Sequence, residues 1–308
     1  MKKQIKGILL IIAGSFGFGV MPSLALNAYT GGINVMTMLA LKYTLVCVIM
    51  FPVVILRHKI HQLPKAALVK IFVLSATLYT AQATLYAFSV TLIPVALAAL
   101  VLFTYPIQVS LIGALVFKEK FSLSGKLWLG AAFLGLVLLF IQPMDGIQPL
   151  GVVTALGASL SYAVYVVLLD RVTAGSNIQP MTTNALLNAG AAFTVVIISL
   201  LTGQLNLVFT PITWVYVLYN GIFVGIIAYW LWLMGMRELG SVKASVLSMS
   251  EPVFASLASV ILLDQRLGAA EIVGGAVLLV AVTMFVNSQS HLQASGQGTP
   301  QQKHTVAE

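Results

Sequence analysis

Apolar residues do not alternate along this chain. They come in long blocks, separated by short polar stretches that hold nearly all of the charge. Ten blocks can be drawn, at 7–26, 33–56, 68–88, 92–117, 127–143, 151–169, 180–201, 212–236, 241–263 and 271–287. Crossing the roughly 30 Å hydrocarbon core of a bilayer takes about 20 apolar residues in a helix, so each block predicts a transmembrane helix. The connections are too short to hold an inserted soluble domain. The final stretch, 288–308, is polar and low in complexity and predicts a disordered tail. The start, MKKQIKGILLIIAG, imitates a signal peptide, but its apolar run is long and no small-residue cleavage site follows, so it is read as a retained first helix.

Composition agrees with the pattern. Of 308 residues, 59% are hydrophobic and 8% charged, against about 25% charged in a soluble domain. Such a chain cannot cover itself with polar surface and belongs in a lipid bilayer. Its net charge of +8 is explained by placement. With the N-terminus in the cytoplasm and ten spans, 14 of the 16 Lys and Arg fall inside: Lys2, Lys3, Lys6, Arg57, Lys59, Lys65, Lys70, Lys118, Lys120, Lys126, Arg171, Arg237, Lys243 and Lys303. Arg266 falls outside and Lys42 lies within the second block. This is the positive-inside bias. It predicts both termini in the cytoplasm and accounts for the basic balance without a nucleic-acid partner.

The two halves resemble each other. An offset of 144 lays GILLIIAGSFGFGVMPSLAL over GVVTALGASLSYAVYVVLLD, with Ser15 on Ser159 and Gly19 on Ala163. Small residues spaced by four let membrane helices approach closely. An offset of 146 lays LIPVALAALVLFTYPIQVSLIGALVFKEK over ELGSVKASVLSMSEPVFASLASVILLDQR, matching Pro106 with Pro252. Five spans per half is an odd number, so the second copy enters the membrane upside down. The expected organisation is a first repeat at 1–143, an inverted second repeat at 144–287, and the tail. Inverted repeats are a layout of secondary transporters, in which interrupted helices at matching positions mark a site near the midplane. Pro106 and Pro252 are the matched helix breaks expected here; the plainer reading is that both are ordinary kinks.

The stretches ALAALVLFTYPIQVSLIGALVFKEK and KASVLSMSEPVFASLASVILLDQR, with LALKYTL in the second block, resemble the EamA-type transporters of the drug/metabolite transporter superfamily. The resemblance spans 7–287. Lys42 stands where that family often has arginine. Glu119 matches an expected acidic residue, whose place in the second half is taken by Asp264 or Gln265. The resemblance implies alternating-access transport of a small metabolite, most often amino acid export, through a central cavity lined by the first, third, fourth, sixth, eighth and ninth helices.

Two charges lie at depth. Lys42 is about ten residues from the outer end of its span and Glu251 about eight from the inner end of its own, which puts both within several Å of mid-membrane at ~1.5 Å per residue. Facing lipid, each would cost roughly 2.5–3.5 kcal/mol, so both are expected to face protein, water or each other. Three readings stand. The two form a structural ion pair; or they bind the carboxylate and ammonium of a zwitterion; or Glu251, disfavoured as a bare carboxylate by desolvation, carries a proton coupled to transport. Pro252 leaves a carbonyl free beside Glu251 in each case.

Tyr79, Gln82 and Tyr86 share one helical face by their spacing. Tyr105, Tyr162, Tyr165, Asn188 and Asn220 complete the candidate lining, since tyrosine offers a flat apolar surface with a polar tip. Trp128, Trp214, Tyr43 and Tyr29 are read as interfacial anchors. No phosphate-binding loop of the GxxxxGK[ST] type is present. The histidines at 58, 61, 291 and 304 lie in loops or the tail, and Cys47 is the sole cysteine, so neither a cofactor, a metal nor a disulfide is expected, with proton coupling the one open addition. The reading is a multi-pass carrier of the plasma membrane, in a bacterium the inner membrane, whose partners are a small-molecule substrate and lipid; monomer and homodimer both stay open. The alternative is an importer of a vitamin-like or nucleoside-like solute; a membrane enzyme or a receptor stands further off.

Overall fold

The computed structural model describes residues 2–57, 63–140, 147–174, 176–263 and 266–294. His58, His61, Asp264, Gln265 and the tail from 295 lie outside them. The described chain is helical: α1 (Lys2–Thr30), α2 (Val35–Arg57), α3 (Lys65–Leu74), α4 (Thr80–Leu92), α5 (Val95–Leu102), α6 (Tyr105–Leu115), α7 (Leu123–Leu139), α8 (Pro149–Thr173), α9 (Pro180–Leu201), α10 (Thr213–Tyr219), α11 (Tyr229–Leu239), α12 (Ser241–Ser248), α13 (Glu251–Leu263) and α14 (Ala269–Ala294). Wide π-helical turns at Ser75–Tyr79 and Asn220–Ala228 join α3 to α4 and α10 to α11. Among the described residues, nine continuous or joined helices are long and apolar enough to cross a membrane, and α7 is a shorter apolar helix. Large apolar side chains such as Leu115, Leu201 and Ile261 point outward, while Ser15, Ser75, Ser159, Asn184 and Ser248 are buried. That distribution suits a hydrocarbon surrounding.

Helix starts follow local chemistry. Pro149 and Pro180 open α8 and α9, where the missing N–H costs nothing. The Ser122 hydroxyl caps α7 by accepting from the Gly125 N–H at 2.9 Å. At the other end of the chain, α14 runs to Ala294, so residues 288–294, expected to belong to a disordered tail, are helical. The reason is tertiary: Gln289 is buried against the start of α7, beside Gly125.

The packing follows the repeat. α1 lies on α11 and α13, as α8 lies on α4 and α6. Helices in matching places also pair with one another, and they run antiparallel. In α7 and α14, Gly125 meets Gln289 and Leu139 meets Gly274. In α2 and α9, Thr37 bonds Gln204 and Asn206 just beyond α9, while Val54 packs near Met181 and Ala185 at its start. Between the two broken blocks the pairing crosses halves of each: α6 lies on α12, where Tyr105 meets Ser248 and Gly113 meets Val242. The α7–α14 crossing depends on glycine: a Cβ on Gly274 would lie 2.5 Å from the Leu139 nitrogen, so the two backbones touch. Gly274 therefore serves packing inside the chain.

Charged residues gather at one end of the bundle. Lys6 approaches Glu238 at 3.8 Å, and Arg171 donates to Glu119 at 2.8 Å while its guanidinium covers the Phe117 ring at 4.0 Å. The Asp170 carboxylate accepts from the Ser241 N–H at 2.9 Å, capping α12. Burial pushes the Glu119 carboxyl above its ordinary range; Arg171 pulls it down, and Asp170 adds to the rise.

Candidate functional site

The fourth and ninth blocks, which carry the matched prolines Pro106 and Pro252, are both broken, whereas α2 runs through Pro52 as one helix. Each break is a pair of tight turns just before the proline: Phe103 and Thr104 separate α5 from α6, and Met249 and Ser250 separate α12 from α13. The hydrogen bonds correspond. Thr104 N–H donates to Val101 O and Ser250 N–H to Leu247 O, both at 3.1 Å. The next residue is Tyr105 at the first break and Glu251 at the second, so a carboxyl in one half occupies the place of a phenol in the other. Glu251 is half-buried and Pro252 buried. The Ser248 hydroxyl interacts with both Glu251 and Tyr105 and accepts from the Trp232 indole N–H at 2.8 Å. On the other side, α1 passes close to this break at Gly19, where a Cβ would lie 2.7 Å from the Glu251 carbonyl oxygen.

A belt of aromatic rings runs from this point across the bundle. Tyr105 packs edge-on against Tyr162 at 4.7 Å, and Tyr162 stacks on Tyr165 at 5.8 Å. Tyr165 meets Tyr79 at 5.1 Å, and Tyr79 meets Tyr43 at 5.9 Å and Tyr229 at 5.8 Å. The Tyr165 and Tyr229 hydroxyls share a hydrogen bond of 2.6 Å, and Phe18 and Trp232 flank Tyr229. Rings from the first, third, fourth, sixth and eighth blocks therefore meet in one layer, with Tyr43 added from the second. At the far end of the belt, Lys42 Nζ sits 5.3 Å from the Tyr43 ring centroid. Lys42 is 8% exposed, and its stem borders Gly225 in the second π segment. No ion pair joins it to Glu251 among the described residues, so the two charges occupy opposite ends of the belt.

The other candidates fall in different places. Tyr86 is two turns from Tyr79 on the same face, but at that separation it reaches another depth and packs near Ile93, Ala98 and Ala155. Gln82, one turn from Tyr79, is half-buried. Asn188 lies one layer out: its amide donates to Asn184 O at 2.9 Å and Oδ1 at 2.7 Å, and Asn184 in turn donates to the Gly225 carbonyl at 2.9 Å. It steadies the π segment that borders Lys42. Asn220 is buried and its Oδ1 has no hydrogen-bond partner. Tyr43, read as an interfacial anchor, is buried in the belt because its helix turns it toward Tyr79. Trp128 packs partly against the core, whereas Trp214 is exposed against Phe209. Tyr229, Trp232 and Ser248 were not singled out by sequence; each is one residue in an apolar run whose facing only the packing decides.

A polytopic helical membrane protein built from two like halves, with polar groups at matched helix breaks, is the class that this architecture defines. The model of the EamA-like transporter family matches residues 5–141 and again 149–287, and the chain belongs to that family. A solved structure described only as "Crystal structure of protein" superimposes with a TM-score of 0.76 over 93% of this chain and 98% of that one, at 20% identity, a likeness of fold. No curated protein sequence matches the chain.

Proposed function

We propose that the chain is a secondary carrier of the plasma membrane, with ten spans in two inverted halves and both termini in the cytoplasm. It moves a small organic metabolite, amino acids first, outward by alternating access and performs no covalent chemistry on it. The belt and the break beside Glu251 form the transport site. Lys42 receives the substrate carboxylate and Glu251 its ammonium group, while the tyrosine faces take its apolar body. The single observation that carries this reading is the placement of the buried Lys42 ammonium and the half-buried Glu251 carboxyl at the two ends of one aromatic layer, drawn from both halves. A structural ion pair would have brought them together. Rocking of one half against the other around that layer exposes it to either side, as inverted repeats do in secondary transporters. Counterflow into proteoliposomes with a panel of amino acids and related metabolites tests the reading. Exchange of at least one zwitterionic solute, lost in Glu251→Gln, is expected; exchange of uncharged solutes alone, or full activity in Glu251→Gln, refutes it.

A further inference from the structure

The two breaks match in position, yet the carbonyl that each proline frees is treated differently. Proline has no N–H, so the carbonyl four residues earlier loses its helical partner. Before Pro106 that carbonyl is Leu102, and the Ser159 hydroxyl donates to it at 3.0 Å. Gln108 closes the same spot, its Nε2 donating to Ser159 Oγ at 3.0 Å and Thr104 Oγ1 at 3.2 Å. Before Pro252 the carbonyl is Ser248, and among the described residues no hydrogen bond reaches it. The repeat offsets put Ser15 where Ser159 stands and Phe254 where Gln108 stands. Phe254 carries no donor and packs edge-on against Phe16 at 5.6 Å. Ser15 is fully buried, and its hydroxyl has no partner. One turn along α1 from Ser15, Gly19 touches the Glu251 backbone, so this stretch of α1 lies against the break.

The second break thus brings together a carbonyl without a donor, a buried hydroxyl without a partner, and a carboxyl. Buried polar groups left unmatched are costly, and both the carbonyl and the carboxylate attract positive charge. The carbonyl also ends α12, where the helix dipole is negative. Oxygen ligands of this kind suit hard cations, and unwound backbone carbonyls in broken transporter helices are a known means of holding them.

We propose that the break before Pro252 is a cation site, in which the Ser248 carbonyl, the Ser15 hydroxyl and the Glu251 carboxylate ligate one small monovalent cation, Na⁺ or the ammonium group of the transported solute. The inference rests on the carrier reading and adds Ser15 and Ser248 as ligands. The first break, sealed by Ser159 and Gln108, takes none.

Thermal unfolding of the purified full-length protein tests it, with NaCl and methylammonium chloride titrated against choline chloride at constant ionic strength. The unfolding midpoint rises with NaCl, with methylammonium, or with both, and which salt acts identifies the ligand. Ser15→Ala weakens the apparent affinity about tenfold, Glu251→Gln removes the shift, and Ser159→Ala leaves it intact. No shift with either salt, or a shift that Ser15→Ala or Glu251→Gln keeps in full, overturns the site. Because no transport is read, failure here leaves the carrier reading to its own counterflow test.

Discussion

Lys42 should be a residue whose removal stabilises the protein and abolishes its activity. The side chain is 8% exposed and has no carboxylate partner among the described residues. An unpaired charge at the centre of a span costs roughly 2.5–3.5 kcal/mol on insertion scales. The ammonium recovers part of this from the Tyr43 ring 5.3 Å away, an interaction worth about 0.5–2 kcal/mol. The net penalty is therefore about 0.5–3 kcal/mol. Lys42→Met keeps the length and packing of the stem and removes the charge, so it should stabilise the protein by about 1–2 kcal/mol, a factor of roughly 5–30 in the ratio of folded to unfolded chains. Unfolding in mixed micelles of increasing denaturing detergent reads the stability, and counterflow in proteoliposomes reads the function. Stabilisation with loss of counterflow is the expected result. Destabilisation by more than about 1 kcal/mol would show that Lys42 holds the fold together through a buried partner and would refute the argument.

Other outcomes follow from the same geometry. Because Lys42 and Glu251 stand at opposite ends of the tyrosine belt, the stability effects of Lys42→Met and Glu251→Gln should add to within about 0.5 kcal/mol; a coupling above about 1 kcal/mol would mean that they touch. Gly274→Val should destabilise by about 1–3 kcal/mol or prevent folding, since its Cβ would meet the Leu139 nitrogen at 2.5 Å; near-wild-type unfolding would contradict the backbone contact. Glu119 and Arg171 are about a third exposed, at 28% and 32%, so Glu119→Gln should cost no more than about 1 kcal/mol. The reversed pair Glu119→Arg with Arg171→Glu should recover part of that loss, and no recovery would show that the Phe117 stack matters more than the charge pairing.

The helical blocks were legible in sequence because lipid leaves little choice: a block of about 20 apolar residues has to be a helix, and among the described residues nine are long enough to cross. Both breaks were legible too, since the 146-residue offset lays Pro106 on Pro252. Hidden from sequence were the features that depend on how each helix is rotated. The π turn at Ser75–Tyr79 is held by the Thr80 hydroxyl on the Ser75 carbonyl at 2.8 Å and by Ser75 and Thr194 bonds between α9 and this segment. None of those partners is near in sequence to announce it, apart from Thr80. Tyr43 was read as an anchor for the same reason: its identity suits the interface, and only packing against Tyr79 turns it inward. Tyr79 and Tyr86 share a helical face by spacing, but a face two turns long spans about 10 Å, enough to divide its ends between two clusters.

The central claim is that Glu251 looks into a compartment open to water and used by the solute. A cysteine at that position, Glu251→Cys in a Cys47→Ala background, addresses it most directly in sealed vesicles. Modification by a membrane-impermeant thiol reagent from one face, slowed by the solute found in the counterflow panel, is the predicted result. A thiol that resists the reagent from both faces, with the protein folded, would contradict the account.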